Sequence, residues 1–512
     1  MISIIYAMVN KLCLLFCVLP AFVFCTPTTN PDDTDDPVVT VHGEKVINVG
    51  LEAGSFELSF TSNRDWTVEP DDAWVKVNPS SGTASPDAVN VTVSYERNSR
   101  TRTRETYVII DAGGLRVPVE LLQEGDPYAG AATELKSGDV VKATNPLVEK
   151  FLTEVNYEDK TCKEYTKIFD YYGGFDGKTL TWDNWETEWP DGDIPPAYSI
   201  KWKKEDLDGS ALTLHLEDEL SWSGDMEIAA GSLYVNITNL VPNDKYTYKV
   251  TSASGKVIAQ GNFSTTGCLH QVYFHGNVQM KGGVELKGSG GRNARDLGGW
   301  ETLDGKKVKY RKIYRGGRLN EKWTPYPLDA QGEKEVLFEG IGAEIDLRGN
   351  SDVIFEPAVA GLAHCAPVIE EGGKTMLTTY KEQTKECFEF IVKCLRENKP
   401  VYFHCSLGRD RTGTLDILLL GLLGVREGVI AKEYEVTYFA PVGYSVSSSD
   451  KKSNPIPTFK NTRCAWVYSD VTPYFWELAG AGTFASGVEN YLLTVAGVSQ
   501  KDIDDFRSMM LE

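Results

Sequence analysis

FHCSLGRDRTG, residues 403–413, joins a short apolar strand to an almost wholly apolar helix. The stretch KPVYFHC that leads into it predicts a strand, and TGTLDILLLGLLGV, which begins at Thr412, predicts a buried helix. Gly408 permits a tight turn between the two. A strand, a loop and a helix in this order indicate a parallel sheet in an α/β domain, with a site at the carboxyl end of the strand.

The chemistry of this loop follows from a cysteine placed six residues before an arginine. The backbone N–H groups of residues 406–411 are expected to surround one point at the helix N-terminus, which suits a phosphate dianion. The same positive end favours the thiolate of Cys405, and Arg411 can hold two phosphate oxygens. Thr412 can donate a hydrogen bond to that thiolate. The predicted phosphate-binding residues are Ser406, Leu407, Gly408, Arg409, Asp410 and Arg411. The alternative is a buried core cysteine beside an ordinary turn.

The loop, with His404 before the cysteine and Thr412 after the arginine, resembles that of the protein tyrosine phosphatase superfamily. NARDLGGWETLDGKKVKYRKIYRGGRLN (293–320) and GIGAEIDLRGNSDV (340–353) resemble the bacterial branch whose loop reads His-Cys-x-x-Gly-Lys-Asp-Arg-Thr-Gly. Arg409 stands where that branch has lysine. The resemblance covers about 290–440 and implies phosphomonoester hydrolysis through a phosphocysteine intermediate, without metal or other cofactor.

The resemblance also suggests which residue is the general acid. In this branch the acid is thought to be the aspartate inside the loop, here Asp410; the alternative is a carboxylate that orients Arg409 or the loop backbone. Asp346, at the end of EIDL, is the second candidate, and its alternative is an ion pair with Arg348 or Arg411. The Trp-Pro-Asp sequence at 189–191 lies about two hundred residues before Cys405 and is interpreted as unrelated to catalysis.

Four further residues are expected to support the site. His404 is expected to hydrogen-bond the cysteine backbone or neighbouring groups, while Arg295, Asp296 and Arg348 either shape the rim or form a structural salt-bridge network.

Three functions compete for this domain. The favoured one is a protein tyrosine or dual-specificity phosphatase acting on a phosphorylated protein or peptide. A phosphatase acting on phosphoinositides or inositol polyphosphates is the second, and Arg409 is the loop feature that bears on it. The third is an inactive phosphatase scaffold that serves as a surface binding protein, which the intact Cys405, Arg411 and Thr412 disfavour.

The part of the chain before residue 269 is strand-like. Residues 40–126 alternate apolar and polar residues and resemble the BACON domain, a β-sandwich common in exported Bacteroidetes proteins, some of which are proposed to bind glycans. Trp66 and Trp74 are expected to pack in its core. Residues 127–268 resemble, at their end, a fibronectin type III-like module. The predicted fold is therefore multidomain, with two N-terminal β-sandwich modules and an α/β domain (269–512) whose central, mostly parallel sheet is flanked by helices.

The N-terminus predicts export. Residues 1–25 read as a signal peptide that ends at Cys25, a candidate for lipidation, and residues 26–39 form an acidic tether. If Cys25 is lipidated, we expect the protein to be anchored in the cell envelope, with the lipid as its only contact with the membrane. If the signal peptide is simply cleaved, we expect the protein to be secreted. The net charge of −21 disfavours nucleic-acid binding. Seven cysteines follow the leader, so at least one is unpaired within the chain, and no Cys/His spacing indicates a metal site.

Overall fold

A computed structural model of the chain describes residues 36–51, 53–98, 103–125, 132–157, 192–276, 279–281, 284–286, 290–320, 328–440 and 466–512. The predicted signal peptide with Cys25, and most of the predicted tether, lie outside these residues. The chain divides into two compact units, one of Met1–Arg97 with Glu105–Gln123 and one of Asn98–Arg104 with Glu124–Glu512. Among the residues that the structure describes, none of the helices combines the length and the apolar composition of a membrane-spanning segment.

The first unit consists of β-strands in two sheets. The strands are β1 Val39–His42, β2 Val46–Val49, β3 Gly54–Ser62, β4 Trp66–Pro70, β5 Val75–Asn78, β6 Ser81–Gly82, β7 Ser85–Tyr95, β8 Arg104–Ala112 and β9 Leu115–Gln123. The sheet orders are β1-β3-β7-β5 and β2-β9-β8-β4-β6. Alternate side chains of both sheets are buried in one core, because successive residues of a strand face opposite sides.

Trp66 occupies the centre of this core. Its ring meets Phe60 edge-to-face, with the centroids 5.1 Å apart, and it is 4% exposed. Gly82 lies against the indole so closely that a Cβ there would come within 2.3 Å of it. Trp74 is partly buried and packs against the same core. The predicted core role of both tryptophans is confirmed.

The second unit begins with a β module. Its strands are β10 Thr133–Glu134, β11 Val140–Lys142, β12 Tyr198–Lys201, β13 Leu212–Asp218, β14 Ser223–Ile228, β15 Tyr234–Ile237, β16 Lys245–Ser252 and β17 Val257–Thr266. They form sheets in the orders β10-β12-β15 and β11-β17-β16-β13-β14. Leu214, Tyr246 and Phe263 lie in the core of this module, where the rings of Tyr246 and Phe263 stack 5.0 Å apart.

Helix α1, Pro146–Glu154, lies within the sequence of this module but packs elsewhere. Asn145 caps it by accepting a hydrogen bond from the amide of Leu147, and Pro146 occupies the first turn, where no amide donor is needed. Its buried residues Val148 and Phe151 belong to the hydrophobic core of the C-terminal domain. The β module and the C-terminal domain therefore share side-chain packing across residue 268.

The C-terminal domain is built on a mixed sheet of order β20-β21-β24-β22-β23. The strands from here onward are β18 Gln279–Lys281, β19 Val284–Leu286, β20 Arg295–Asp296, β21 Ile313–Gly316, β22 Ala343–Asp346, β23 Ala363–Cys365 and β24 Val401–His404. Strands β21, β24, β22 and β23 are parallel, and β20 pairs antiparallel with β21. The strands β18 and β19 form a separate antiparallel pair.

Helices surround this sheet. They are α2 Ala330–Phe338, α3 Gly373–Thr378, α4 Lys381–Arg396, α5 Asp410–Leu422, α6 Glu427–Val436, α7 Trp466–Ala479, α8 Phe484–Asn490 and α9 Gln500–Met510. Every residue of α5 from Thr412 onward is buried, which confirms the predicted buried helix. In α4 the apolar residues recur at helical spacing, so Cys387 and Cys394 both face the core as expected. The loop between β24 and α5 thus lies at the carboxyl end of β24, beside the ends of its parallel neighbours β21 and β22.

Candidate active site

The loop from Cys405 to Arg409 turns tightly because of Gly408. Its φ is +69°, and a Cβ there would lie 2.4 Å from the carbonyl carbon of Gly316 on β21. No other residue type fits this position without moving one of the two backbones. Within the part of the chain that the structure describes, the amides of Ser406, Leu407 and Gly408 donate to no protein acceptor. Such amides can bind an anion.

Cys405 is 2% exposed and lies beside the start of α5. Burial alone would raise the pKa of its thiol, but the charge of Arg411 and hydrogen bonds from the side chain and backbone of Thr412 lower it to about 7. The hydroxyl of Thr412 is buried and has no hydrogen-bond partner by geometry within the described chain, so it is available to the thiolate of Cys405.

The other described cysteines behave in the opposite way. All are free thiols, and burial raises the pKa of Cys268 to about 11, of Cys365 to about 12 and of Cys394 to about 11. Cys162 and Cys464 lie outside the described residues. Among the described thiols, Cys405 is therefore the one whose surroundings favour the anion.

This difference predicts selective alkylation. With limiting iodoacetamide at pH 7, Cys405 should react first, and its rate should rise with pH through a midpoint near 7 because the thiolate is the reacting form. Peptide mass mapping between about pH 5 and 9 measures the rate of alkylation at each cysteine. Cys405→Ser is the control that identifies the modified site. A midpoint above about 8.5, the ordinary value for cysteine, would contradict the electrostatics described here.

Arg411 is half-buried and held beside the loop by backbone oxygens. Its Nη1 donates to the carbonyl of Ile369 at 3.0 Å and to that of Leu347 at 3.4 Å. Its Nη2 lies 3.5 Å from Oγ of Ser406. The guanidinium is thus oriented before any phosphate binds, which reduces the entropy lost on binding.

Asp352 is a carboxylate at the same place that sequence reasoning missed. Its Oδ2 accepts a hydrogen bond of 2.5 Å from Oγ of Ser406, and its side chain is partly exposed. Asp352 lies in GNSDV, shortly after the end of β22 and within a stretch that resembles the tyrosine phosphatase family. A carboxylate just after the end of a parallel strand is the sequence signal that could have identified it.

Asp410 opens α5 and pairs with its neighbour Arg409. The Nε and Nη2 atoms of Arg409 donate to the two carboxylate oxygens at 2.7 and 3.0 Å. Burial alone would lower the pKa of Arg409, but the hydrogen bonds and charge of Asp410 raise it above its usual value. This contact is the one expected of a carboxylate that orients Arg409, so use of Asp410 as an acid requires that the pair open.

Asp346 is committed to Arg348. Its two oxygens accept from Nε at 2.8 Å and from Nη2 at 2.7 Å, and the amide of Ile354 donates to it at 3.0 Å. Burial acts to raise the pKa of Asp346, but the neighbouring His404 and Arg348 hold it below the usual value. A carboxylate held in the ionised form is poorly placed to donate a proton at neutral pH.

His404 lies beneath the loop and is fully buried. Its Nε2 donates to Oε1 of Glu344 at 2.8 Å, and its Nδ1 lies 3.3 Å from the carbonyl oxygen of Cys405. Glu344 in turn accepts from the amide of Ala358 at 2.6 Å. The expectation that His404 contacts the cysteine backbone and neighbouring groups agrees with this arrangement.

Arg295, Asp296 and Arg348 are each at most 1% exposed, so the structure places them below the surface of the site. Arg295 donates to Glu433 at 2.5 Å, and Asp296 accepts from Nδ1 of His270 at 3.0 Å. Their contacts are those of the alternative considered for them, a buried salt-bridge network.

Two residues that support the loop directly were not singled out from sequence. Arg315, on β21, donates to the carbonyl of Gly408 at 2.6 Å and to the carboxylates of Asp416 and Glu433, both at 2.7 Å. Asn293 donates from Nδ2 to the carbonyl oxygens of Leu407 and Gly408 at 3.1 and 3.2 Å. Both hold the outer side of the loop.

Two segments of the chain match known protein families. Residues 286–512 match the model of the tyrosine phosphatase family. Residues 43–125 match that of the viral BACON domain. The tyrosine phosphatase resemblance and the BACON resemblance predicted from sequence are therefore both confirmed.

A curated relative agrees with the tyrosine phosphatase match. It is a protein of Cupriavidus necator named "Putative tyrosine-protein phosphatase", 28% identical over 166 residues. The match covers 28% of this chain and spans 59% of the relative's length.

Solved structures are only distantly similar. A xyloglucanase from Bacteroides ovatus in complex with a heptasaccharide shares 15% identity, over 21% of this chain and 27% of that one, at a TM-score of 0.16. The D0–D1 domain of intimin shares 10% identity, over 44% and 98% of the two chains, at a TM-score of 0.14. At TM-scores this low, the similarity supports no conclusion about the fold or the function of the C-terminal domain.

Proposed function

We propose that this protein is a cysteine-dependent phosphatase of the tyrosine or dual-specificity type, in an α/β domain preceded by two β-sandwich modules. The observation that carries the proposal is the surroundings of Cys405: a thiol whose pKa is lowered to about 7, beside Thr412 and Arg411 and on a loop with unused amides. These are the groups needed for nucleophilic attack on a phosphate dianion.

In the first step the thiolate of Cys405 attacks phosphorus in line with the leaving oxygen. The sulfur–phosphorus bond forms as the phosphorus–oxygen bond breaks, while the loop amides and Arg411 bind the other phosphate oxygens. Asp410 delivers its proton to the leaving oxygen. A protonated Asp410 no longer forms an ion pair with Arg409, which lets the carboxyl turn towards the substrate.

In the second step water attacks the phosphocysteine. Asp410, now ionised, removes a proton from the water, and the sulfur leaves as a thiolate. Thr412 donates its hydrogen bond to that thiolate, which makes it a better leaving group. Inorganic phosphate then departs and the starting state is restored.

The surroundings of Arg409 favour a phosphorylated protein or peptide over an inositide. Extra phosphates of an inositol ring need an available cation near the loop. The Arg409 side chain is only 8% exposed, so little of it is open to a further phosphate even when its pair with Asp410 opens. A phosphotyrosine or phosphoserine side chain requires only the phosphate site itself.

Export, lipidation of Cys25 and glycan binding by the BACON-like module remain proposals that rest on sequence. The full protein would then meet its phosphorylated substrate outside the cytoplasm, in the cell envelope or beyond.

The test is phosphate release by the whole protein in reductant, with wild type and Asp410→Asn on phosphotyrosine peptide, phosphoserine peptide, phosphoinositides and inositol hexakisphosphate. Loss of the acid should lower kcat on the peptides by about 10²–10⁴-fold. It should matter much less on para-nitrophenyl phosphate, whose leaving group needs no proton.

Two results would contradict this account. Equal activity of Asp410→Asn and wild type on the peptide would move the acid elsewhere, and Asp352→Asn is then the next variant because its carboxylate reaches Ser406. Absence of turnover by wild type on every substrate would favour an inactive scaffold.

A further inference from the structure

We propose that Asp193, which belongs to the β module, is a positioning residue for the phosphate loop of the C-terminal domain. It precedes residue 286, where the match to the tyrosine phosphatase family begins. The contact between Asp193 and its partners follows from the geometry alone. Its effect on catalysis rests on the proposed function.

Asp193 forms a buried, two-pronged ion pair with Arg292. Nε and Nη2 of Arg292 donate to the two carboxylate oxygens at 2.8 and 2.7 Å. The amide of Asn293 donates to the same carboxylate at 2.9 Å. The side chains of Asp193 and Arg292 are 3% and 5% exposed, so water does not compete for these bonds.

This carboxylate fixes the turn from which Asn293 reaches the loop. Asn293 has a φ of +58°, a left-handed conformation that asparagine tolerates better than most residues. In that conformation its side chain donates to the carbonyl oxygens of Leu407 and Gly408. Three donors from two adjacent residues therefore converge on Asp193, and the second of those residues holds the loop.

The direction of these two carbonyls decides where the loop amides point. A trans peptide is planar, and its N–H points away from its C=O. Holding the oxygens of Leu407 and Gly408 on the outer side therefore turns the N–H groups of Gly408 and Arg409 inward, towards the phosphate site. The same orientation favours the thiolate of Cys405.

The segment that carries Asp193 is itself fixed. The carbonyl of Gly192 accepts from Nε2 of Gln271 at 2.7 Å, and that of Ile194 accepts from Nδ2 of Asn145 at 2.9 Å. Gly192 also lies against Phe439, so that a Cβ at this position would come within 2.8 Å of the Cβ of Phe439. Asp193 is thus supported on both sides by described residues.

The Trp-Pro-Asp sequence at 189–191, interpreted above as unrelated to catalysis, lies outside the described residues, so that interpretation stays a prediction. Asp193, two residues further on, binds Arg292 and the amide of Asn293, and the side chain of Asn293 in turn binds the loop. The proposal concerns Asp193 alone.

The test compares Asp193→Asn with Asp218→Asn in the whole protein. Asp218 is a matched control, because it also joins the β module to the C-terminal domain through a buried ion pair, to Arg311 at 3.1 Å. Arg311 precedes β21 and so lies at the opposite end of that strand from the loop. The measurements are the pH midpoint of Cys405 alkylation by iodoacetamide, kcat and KM on para-nitrophenyl phosphate, and the melting temperature.

We expect Asp193→Asn to raise the alkylation midpoint by about one pH unit and to lower kcat/KM roughly 10- to 100-fold, because small displacements of positioned groups have effects of this size. Asp218→Asn should lower the melting temperature comparably and leave both other values unchanged. Asp193→Glu keeps a carboxylate and should return the pH midpoint of alkylation part of the way to the wild-type value. Should Asp193→Asn not fold, Asn293→Gly serves in its place, since it removes the loop contact, suits a positive φ and spares the ion pair.

Asp193→Asn would overturn the proposal if it changed the melting temperature alone, as the control does. An unchanged midpoint in Asn293→Gly would do the same. The alkylation midpoint needs no substrate, so it tests the positioning role even if the wild-type protein hydrolyses no phosphomonoester.

Discussion

Replacement of Cys405 by serine is expected to lower phosphatase activity by about 10⁴-fold or more, since the reaction loses its nucleophile. A serine hydroxyl is a weak nucleophile at neutral pH, whereas the pKa of the cysteine thiol is lowered to about 7. The change removes no group from the phosphate site itself. The variant should therefore still bind inorganic phosphate or tungstate, which calorimetry can measure beside turnover.

Cys365→Ser is the matched control. Cys365 is also buried, but burial raises the pKa of its thiol to about 12, so it is not a nucleophile. This variant should keep wild-type activity. Residual activity above about 1% in Cys405→Ser would mean that a different group attacks phosphorus, and the cysteine mechanism would have to be abandoned.

Arg315→Met should have the largest effect on stability, about 3–5 kcal/mol, because it breaks a buried ion pair and leaves Asp416 and Glu433 with Arg295 as the remaining cation. Arg315 is fully buried and bonds Asp416, Glu433 and the carbonyl of Gly408. Despite burial, which acts to raise it, the charges of Arg295 and Arg315 lower the pKa of Glu433 to about 2.

The pH dependence of this loss has a definite sign. A carboxylate whose pKa is lowered in the folded state contributes stability above its unfolded pKa and loses that contribution as the pH falls towards the folded value. For Glu433 that window lies between about 4.3 and 2. The difference between wild type and Arg315→Met should therefore shrink on acidification through this range.

Scanning calorimetry measures the loss of stability, and the unfolding transition of the first unit serves as an internal reference. The first unit has a separate core, so its transition should not move in Arg315→Met. Lys245→Met removes an exposed ion pair with Glu219 and should change the stability by at most about 1 kcal/mol. Similar losses in the two variants would show that the buried network contributes no more than a surface pair.

The sequence predicted the parts of the site that are local in the chain. The strand before Cys405, the loop and the buried helix after it lie within a few residues of one another, and hydrophobic periodicity identifies them. The proposed nucleophile, Cys405, and Arg411 follow from spacing within the same stretch. Their roles depend on the helix N-terminus, which the pattern also places.

The supporting contacts could not be predicted in this way. Arg315 meets Asp416 and Glu433, which are 101 and 118 positions away, and nothing in local composition links them. Asp193 is 99 positions from Arg292. An arginine that will be fully buried looks like any surface arginine in a sequence, because its burial depends on partners supplied by the fold.

The sharing of one core by α1 and the C-terminal domain has a consequence for the protein's history. The first unit encloses its own hydrophobic residues, so recombination could exchange or remove it as a block without exposing apolar surface. A break point between α1 and residue 269 would instead strip Phe151 from Phe439, whose rings meet edge-to-face 5.8 Å apart. We therefore expect this chain to tolerate removal of its first unit better than removal of its β module.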